Sequence, residues 1–207
     1  MKRIGLLGGS FNPAHKGHRA ISLHAIRALG LDEVWWLVSP GNPLKPQKGM
    51  APFEARLASA RGMARHAPIR ATGIERRLKT RYTVDTLEKL TRGFPRHRFI
   101  WLMGGDNLAQ FHGWRDWRKI ARQVPIAVIA RPGYERRARA SPAMSWLRRS
   151  VRPAGQAKNW TRWRLPALVL LRFRPDPTSA TSLRAADPAW HRRFSSAPKS
   201  HRTDPTP

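Results

Sequence analysis

The chain has 207 residues, enough for one globular domain with a substantial core, or a domain followed by a tail. Hydrophobic residues make up 41%, which excludes a disordered composition, and 40 Lys plus Arg against 12 Asp plus Glu give a formal net charge of +28. Such a surface attracts anions (nucleotides, nucleic acid or acidic lipid heads) without choosing among them, and the lack of cysteine excludes disulfides, thiolate zinc sites and thiol nucleophiles. The first apolar run breaks at Gly8, too soon for a signal sequence. The longest, "LPALVLL" at 165–171, falls far short of the roughly 20 residues that span a bilayer. The expectation is a soluble, cytoplasmic protein with no membrane partner.

In chain order, Ile4 to Leu7 reads as a short buried strand ending in glycines. Residues 16–29 have helical spacing, with Ile21, Ala25, Ile26 and Leu29 on one face and Gly30 as a stop. "EVWWLVSP" is a second strand stopped by Pro40, followed by a loop with three prolines. Phe53 to His66 is helical, "IRATGIE" (69–75) reads as a third strand, and "TVDTLEKLTR" (83–92) as a short helix. "RFIWLMGG" is a strong buried strand, "NLAQFHGWRDWRKIA" (107–121) is helical or nearly so, and "PIAVIARPG" is another strand. Residues 135–164 carry nine Lys or Arg, three Trp and one acid with weak periodicity, and read as an excursion on the same domain. "PALVLLRF" is a late strand, and "TSATSLRAADPAWHRRF" the turn and helix after it. Residues 195–207 lack apolar anchors and read as a disordered tail beyond a single domain of 1–194. Apolar strands alternating with amphipathic helices indicate an α/β fold: an open, Rossmann-like, mostly parallel sheet flanked by helices.

The stretch "GGSFNPAHKGH" (8–18) occupies the first strand-to-helix turn, where such sheets bind ligands. Glycine lets backbone approach a ligand closely, and the following helix start presents N–H groups suited to phosphate. Histidines there can donate to phosphate oxygens and add charge when protonated. The pattern is neither GxGxxG nor a P-loop. A metal site finds no third ligand near His15 and His18, while a purely structural turn remains open.

The same stretch resembles the GGxFxPxHxGH signature of the nucleotidylyltransferase superfamily. Three further segments are similar to motifs of its nicotinate-nucleotide adenylyltransferases: "RYTVDTL" (81–87), "MGGDNLAQFHGW" (103–114), with Gly105 in place of the commoner Ala, and "TSATSLR" (178–184), with Thr178 where a branched apolar residue is usual. "ARPGY" (130–134) fits as well. The resemblance implies adenylyl transfer from ATP to nicotinate mononucleotide, giving deamido-NAD and pyrophosphate, a step of NAD biosynthesis.

It places the catalytic His15 and His18 beside the ATP phosphates. Gly8, Gly9, Ser10 and Phe11 supply the turn and its N–H groups. Arg184, with the hydroxyls of Ser179 and Thr181, meets the same phosphates, although "SATSLR" also reads as a helix cap. Asp106 is either a contact for a ribose hydroxyl or the metal-nucleotide, or a helix N-cap. Lys45 is either a phosphate contact on the mononucleotide or a solvated loop lysine. Thr83 falls to the substrate carboxylate and Trp114 to stacking on the pyridine ring, with Trp117 as the alternative stacking residue or a core residue. Mg²⁺ is expected to arrive with ATP, held by phosphates and water, with no protein metal site.

Three other readings stay open. One is a superfamily transferase acting on nicotinamide mononucleotide or another acceptor. Another, a class I tRNA synthetase fragment, lacks a lysine-loop motif. The third is nucleic-acid binding by 135–164 through charge and the rings of Trp146, Trp160 and Trp163. A homo-oligomer is compatible with the sequence.

Overall fold

The computed structural model describes residues 1–41, 49–130, 140–173, 179–194 and 205. Seven parallel strands form one sheet in the order β3-β2-β1-β4-β5-β7-β6. They are β1 (Lys2–Gly9), β2 (Glu33–Val38), β3 (Ile69–Thr72), β4 (His97–Gly104), β5 (Ile126–Ala130), β6 (Val151–Arg152) and β7 (Leu168–Arg172). Helices are α1 (Lys16–Leu29), α2 (Phe53–Met63), α3 (Ile74–Arg77), α4 (Thr83–Gly93), α5 (Gly105–Gln110), α6 (Trp117–Gln123), α7 (Pro142–Leu147) and α8 (Ala180–Ala186). The chain moves outward from β1 to β2 and β3, then returns to add β4 on the other side of β1. The strand order therefore reverses between β1 and β4, and a crevice opens beyond their carboxyl ends.

Strand alternation sends residues to two cores. Ile4, Leu6, Trp35, Phe99, Trp101 and Met103 pack with Leu87 and Leu90 of α4 and Ile120 of α6. Val34, Trp36, Ile100 and Leu102 pack on the other face with Ala25 and Leu29 of α1 and Ala60 of α2. A strand buried on both faces reads as a continuous apolar run, which is why "VWWLV" and "FIWLM" were legible. α1 ends at Gly30, whose φ of 60° lets its N–H reach the Ile26 carbonyl.

Three expectations need correction. β1 runs on through its glycines, Gly8 pairing with Leu37 and Gly9 with Val38. β3 stops at Thr72, whose hydroxyl accepts the Ile74 N–H at 3.1 Å, so Ile74 and Glu75 open α3 rather than extend a strand. The helix expected over 107–121 is broken: Trp114 is extended and Asp116 is left-handed, with φ of 49°. A continuous helix would carry Trp114 on the buried stripe of Phe111 and Trp117; the break turns it out of that stripe. The stretch read as an excursion on the same domain contributes elements to that domain. Its described portion supplies α7, the edge strand β6 and a 3-10 helix at Ala154–Arg162. A two-residue strand and a three-fold helical repeat leave no 3.6 period to read. Residues 135–139, and the tail apart from Pro205, lie outside the described residues, as do Arg131 to Tyr134 of "ARPGY".

The ring of Trp160 is 1% exposed, its N–H donates to the Leu29 carbonyl at 3.1 Å, and Arg3 lies over it at 5.7 Å. It offers no face to a nucleic-acid base. Trp146 is half-buried, edge-on to Trp117 and flanked by Arg118 and Arg122. Replacing Trp160 with Ala should cost about 3–5 kcal/mol in urea denaturation. Arg148→Ala, on the exposed surface of the same segment, should stay within about 0.5 kcal/mol of wild type.

Candidate active site

Gly8, next to last in β1, lies against the indole of Trp101: a Cβ there would lie 2.8 Å from a ring carbon. Phe11 takes a left-handed φ of 48° and buries its ring against Trp36, 5.1 Å away and nearly parallel. Of the four turn residues, Phe11 thus contributes only backbone to a ligand. Asn12 fastens the turn by donating to the Gly49 carbonyl at 3.0 Å and accepting the Ala51 N–H at 3.2 Å.

The two histidines cap α1 reciprocally. The Gly17 N–H donates to His15 Nδ1 at 3.2 Å, and the His15 N–H donates to His18 Nδ1 at 3.2 Å. Both rings therefore have Nδ1 committed as an acceptor, which puts the proton of the neutral imidazole on Nε2. Their centroids are 3.9 Å apart. From the far end of the sheet, Arg184 donates to the Asn12 carbonyl at 2.6 Å and to the Thr181 hydroxyl at 3.3 Å. Ser179 caps α8 through a second reciprocal pair with Ser182, so the capping role expected there is present. The late motif and the opening turn meet, although 172 residues separate Asn12 from Arg184.

Beside the turn lies a cavity of about 520 Å³. Gly8, Gly9 and Ser10 form one wall, and Thr83, Trp101 and Trp114 are among the others. Thr83 is there because it starts α4; Trp114 is there because of the break described above. Trp117 is 8% exposed and belongs to the core, which closes the alternative that it stacks on substrate. Asp106 is exposed, in the first turn of α5; Gly104 is the N-cap and no side chain caps that helix, so the capping alternative for Asp106 fails. Asp106 does not line the cavity. Lys45 and Thr178 lie outside the described residues. Among the described residues, no three His, Asp or Glu side chains gather as metal ligands.

Two residues escaped the sequence reading. Arg56 of α2 is buried and donates to the carbonyls of Ser10 (2.7 Å), Ser39 (2.7 Å), Ala51 (3.0 Å) and Pro40 (3.4 Å). Burial pushes its pKa down. Its signal was available: a charge three residues after Phe53 and four before Ala60, on the helix's apolar face. Glu75 lines the cavity, is 9% exposed, and accepts a hydrogen bond from the Thr86 hydroxyl at 3.2 Å. Burial pushes its carboxyl up to about 7. No periodicity marked it, because its segment read as strand.

An open parallel sheet with a histidine-capped helix start and a pocket at its switch point defines the nucleotidyltransferase class. Residues 6–186 match the cytidylyltransferase-like family. The chain is 62% identical over 194 residues to the "Probable nicotinate-nucleotide adenylyltransferase" of Erythrobacter litoralis, covering 94% of this chain and 89% of that protein. It is 54% identical over 182 residues to the protein so named in Parvibaculum lavamentivorans, covering 88% and 90%. The Plasmodium falciparum nicotinic acid mononucleotide adenylyltransferase complexed with NaAD shares the fold, with a TM-score of 0.64 at 17% identity over 89% of this chain and 83% of that one. The chain belongs to the nicotinate-nucleotide adenylyltransferase family, within the cytidylyltransferase-like group.

Two expected outcomes follow from this geometry. Nitrogen-15 NMR at a pH where the imidazoles are neutral should show Nε2 protonated and Nδ1 unprotonated in both His15 and His18. For Glu75, a folded pKa of about 7 against an ordinary 4.5 means the native state keeps a proton that the unfolded chain releases between those values. Its stabilising effect is full below pH 4.5 and is lost as the pH rises through 7. Glu75→Gln should therefore match wild type near pH 4.5 and exceed it at pH 8 by up to about 3 kcal/mol in urea denaturation. A gap that does not widen with pH would contradict the burial.

Proposed function

We propose that the protein transfers the adenylyl group of ATP to nicotinate mononucleotide, forming deamido-NAD and releasing pyrophosphate. The observation that carries this reading is the shared turn. Gly8, Gly9 and Ser10 line the cavity that also holds Thr83 and Trp114, and the same loop carries His15 and His18 and receives Arg184.

The reaction is an in-line displacement at the α-phosphorus. The attacking phosphate oxygen is already anionic near neutral pH, so no general base is needed. The protein's task is to hold two mutually repelling polyanions in line and to stabilise charge on the departing pyrophosphate. His15 and His18 donate through Nε2, since Nδ1 of each is occupied by the cap. A donor whose proton is fixed in place need not reorganise as charge develops. Arg184 adds a fixed positive charge, with Ser179 and Thr181 at the same helix start. Mg²⁺ arriving with ATP would supply charge neutralisation at the phosphates, which with water would hold it, and Asp106 is the carboxylate that would be available to the metal-nucleotide. At the other end, the indole of Trp114 suits the flat pyridine ring. The hydroxyl of Thr83 and the N–H groups at the start of α4 suit its carboxylate. Lys45 is assigned to the mononucleotide phosphate.

The test is turnover of purified protein with Mg-ATP and either nicotinate or nicotinamide mononucleotide, following dinucleotide and pyrophosphate. A clear preference for nicotinate is expected; activity with neither rejects the reading. His18→Ala should lower kcat by about 100–1000-fold. The lost cap should cost only about 1 kcal/mol of stability, so circular dichroism should still show a folded protein. Near-normal turnover would remove His18 from the mechanism.

A further inference from the structure

Among the described residues, Glu75 is the only acid lining the cavity, and no Lys or Arg pairs with it. Thr86 reaches it from α4, and the Thr86 hydroxyl also lies 2.9 Å from the Thr80 hydroxyl and 3.2 Å from the Tyr82 carbonyl. The Glu75 carboxyl is thus fastened to the segment that leads into Thr83, the residue assigned to the substrate carboxylate. A buried acid without a cation is stable as the neutral form, a hydrogen-bond donor. The Thr86 contact falls on Oε1, so the other oxygen, with no hydrogen-bond partner among the described residues, is the one placed to carry the proton toward the cavity.

We propose that Glu75 is a specificity residue of the pyridine-nucleotide subsite: as a neutral acid it donates its O–H to the substrate carboxylate, and as a carboxylate it repels that group and accepts from an amide instead. The inference rests on the adenylyl-transfer reading above. It turns the choice between nicotinate and nicotinamide mononucleotide into a function of one proton. The upward shift of the carboxyl to about 7 places that change near neutrality.

The charged and titratable groups around it are Arg81, Tyr82 and Arg115 on the cavity wall, Asp85 on α4, and Arg76 and Arg77 on its own helix. Arg115 is held away from Glu75 by other partners. It lies 4.6 Å over the Tyr82 ring, 3.9 Å from Asp85 and 3.7 Å from Asp116. Arg76 pairs with Glu54 at 2.7 Å. The shift of Glu75 is set by burial, against which the Thr86 hydrogen bond works.

The experiment measures kcat/KM for nicotinate and nicotinamide mononucleotides between pH 6 and 8.5. The two substrates share ribose and phosphate, so those titrations cancel in the ratio. In wild type, the nicotinate preference should fall about tenfold or more across this range, through the KM of the pyridine nucleotide and not that of ATP. Glu75→Gln, neutral at every pH, should give a flat ratio. A wild-type ratio independent of pH, or a variant that tracks wild type, overturns the inference while leaving adenylyl transfer standing. Turnover of neither nucleotide overturns the adenylyl-transfer reading and this inference together. A second measurement needs no variant: calorimetry at pH 7.5 in buffers of different ionisation enthalpy should show more proton uptake on binding nicotinate than nicotinamide mononucleotide. Equal uptake overturns the inference.

Discussion

The guanidinium of Arg56 sits buried among main-chain carbonyls, with no carboxylate against it among the described residues. Its acceptors come from the start of the first turn, the residues just after β2 and the segment entering α2. Each carbonyl points inward because a cation is there to receive it, and the cation is tolerable because the carbonyls replace its water. Ser10 and Ser39, two of the acceptors, also line the cavity. The shape of the pocket mouth and the burial of one arginine are thus the same constraint. A lysine could not reproduce it, since one ammonium cannot reach acceptors spread around a planar fork.

On the proposed adenylyl-transfer reading, the site around that fixed point meets anions almost entirely with donors. Helix starts, histidine Nε2 groups, Arg184 and hydroxyls converge on a loop whose own geometry is set by caps. Each cap removes a choice: the histidines cannot offer Nδ1, and Phe11 cannot offer its ring. Glu75, the one acid among the described residues of the pocket wall, fits the same pattern because burial keeps it neutral over much of the range where the others work.

Much of this was legible in the sequence because its signals are local. "VWWLV" and "FIWLM" read as strands from composition alone, and α1 was bounded correctly by its spacing and Gly30. The opening turn and Arg184 were found as motifs, and their meeting is a consequence of parallel strand order. What was missed depends on packing. The break that turns Trp114 out of the buried stripe is set by its neighbours, not by any breaker residue in 107–121 beyond Gly113. Glu75 was lost when Gly73 was read as strand, though a Cβ there would lie 3.0 Å from the Phe53 ring, a close approach that favours glycine. The segment holding Trp160 looked like a basic surface because its one buried ring and two-residue strand carry too little apolar pattern to register.

The sheet is longest in the middle and shortest at its borders: β1 and β4 have eight residues each, while β3 has four and β6 two. Its outer strands therefore leave little unpaired main chain for another polypeptide to extend. Self-association by strand addition, the usual route from a parallel sheet to fibres, has almost no template here, and β6 ends on a charged Arg152. Along the described sheet edges, contact between copies falls to side chains, and with a net charge of +28 those surfaces repel unless an anion lies between them. Its solubility is accordingly a matter of salt and counter-ions, and polyanions rather than heat or exposed strands are the agents expected to bring it out of solution.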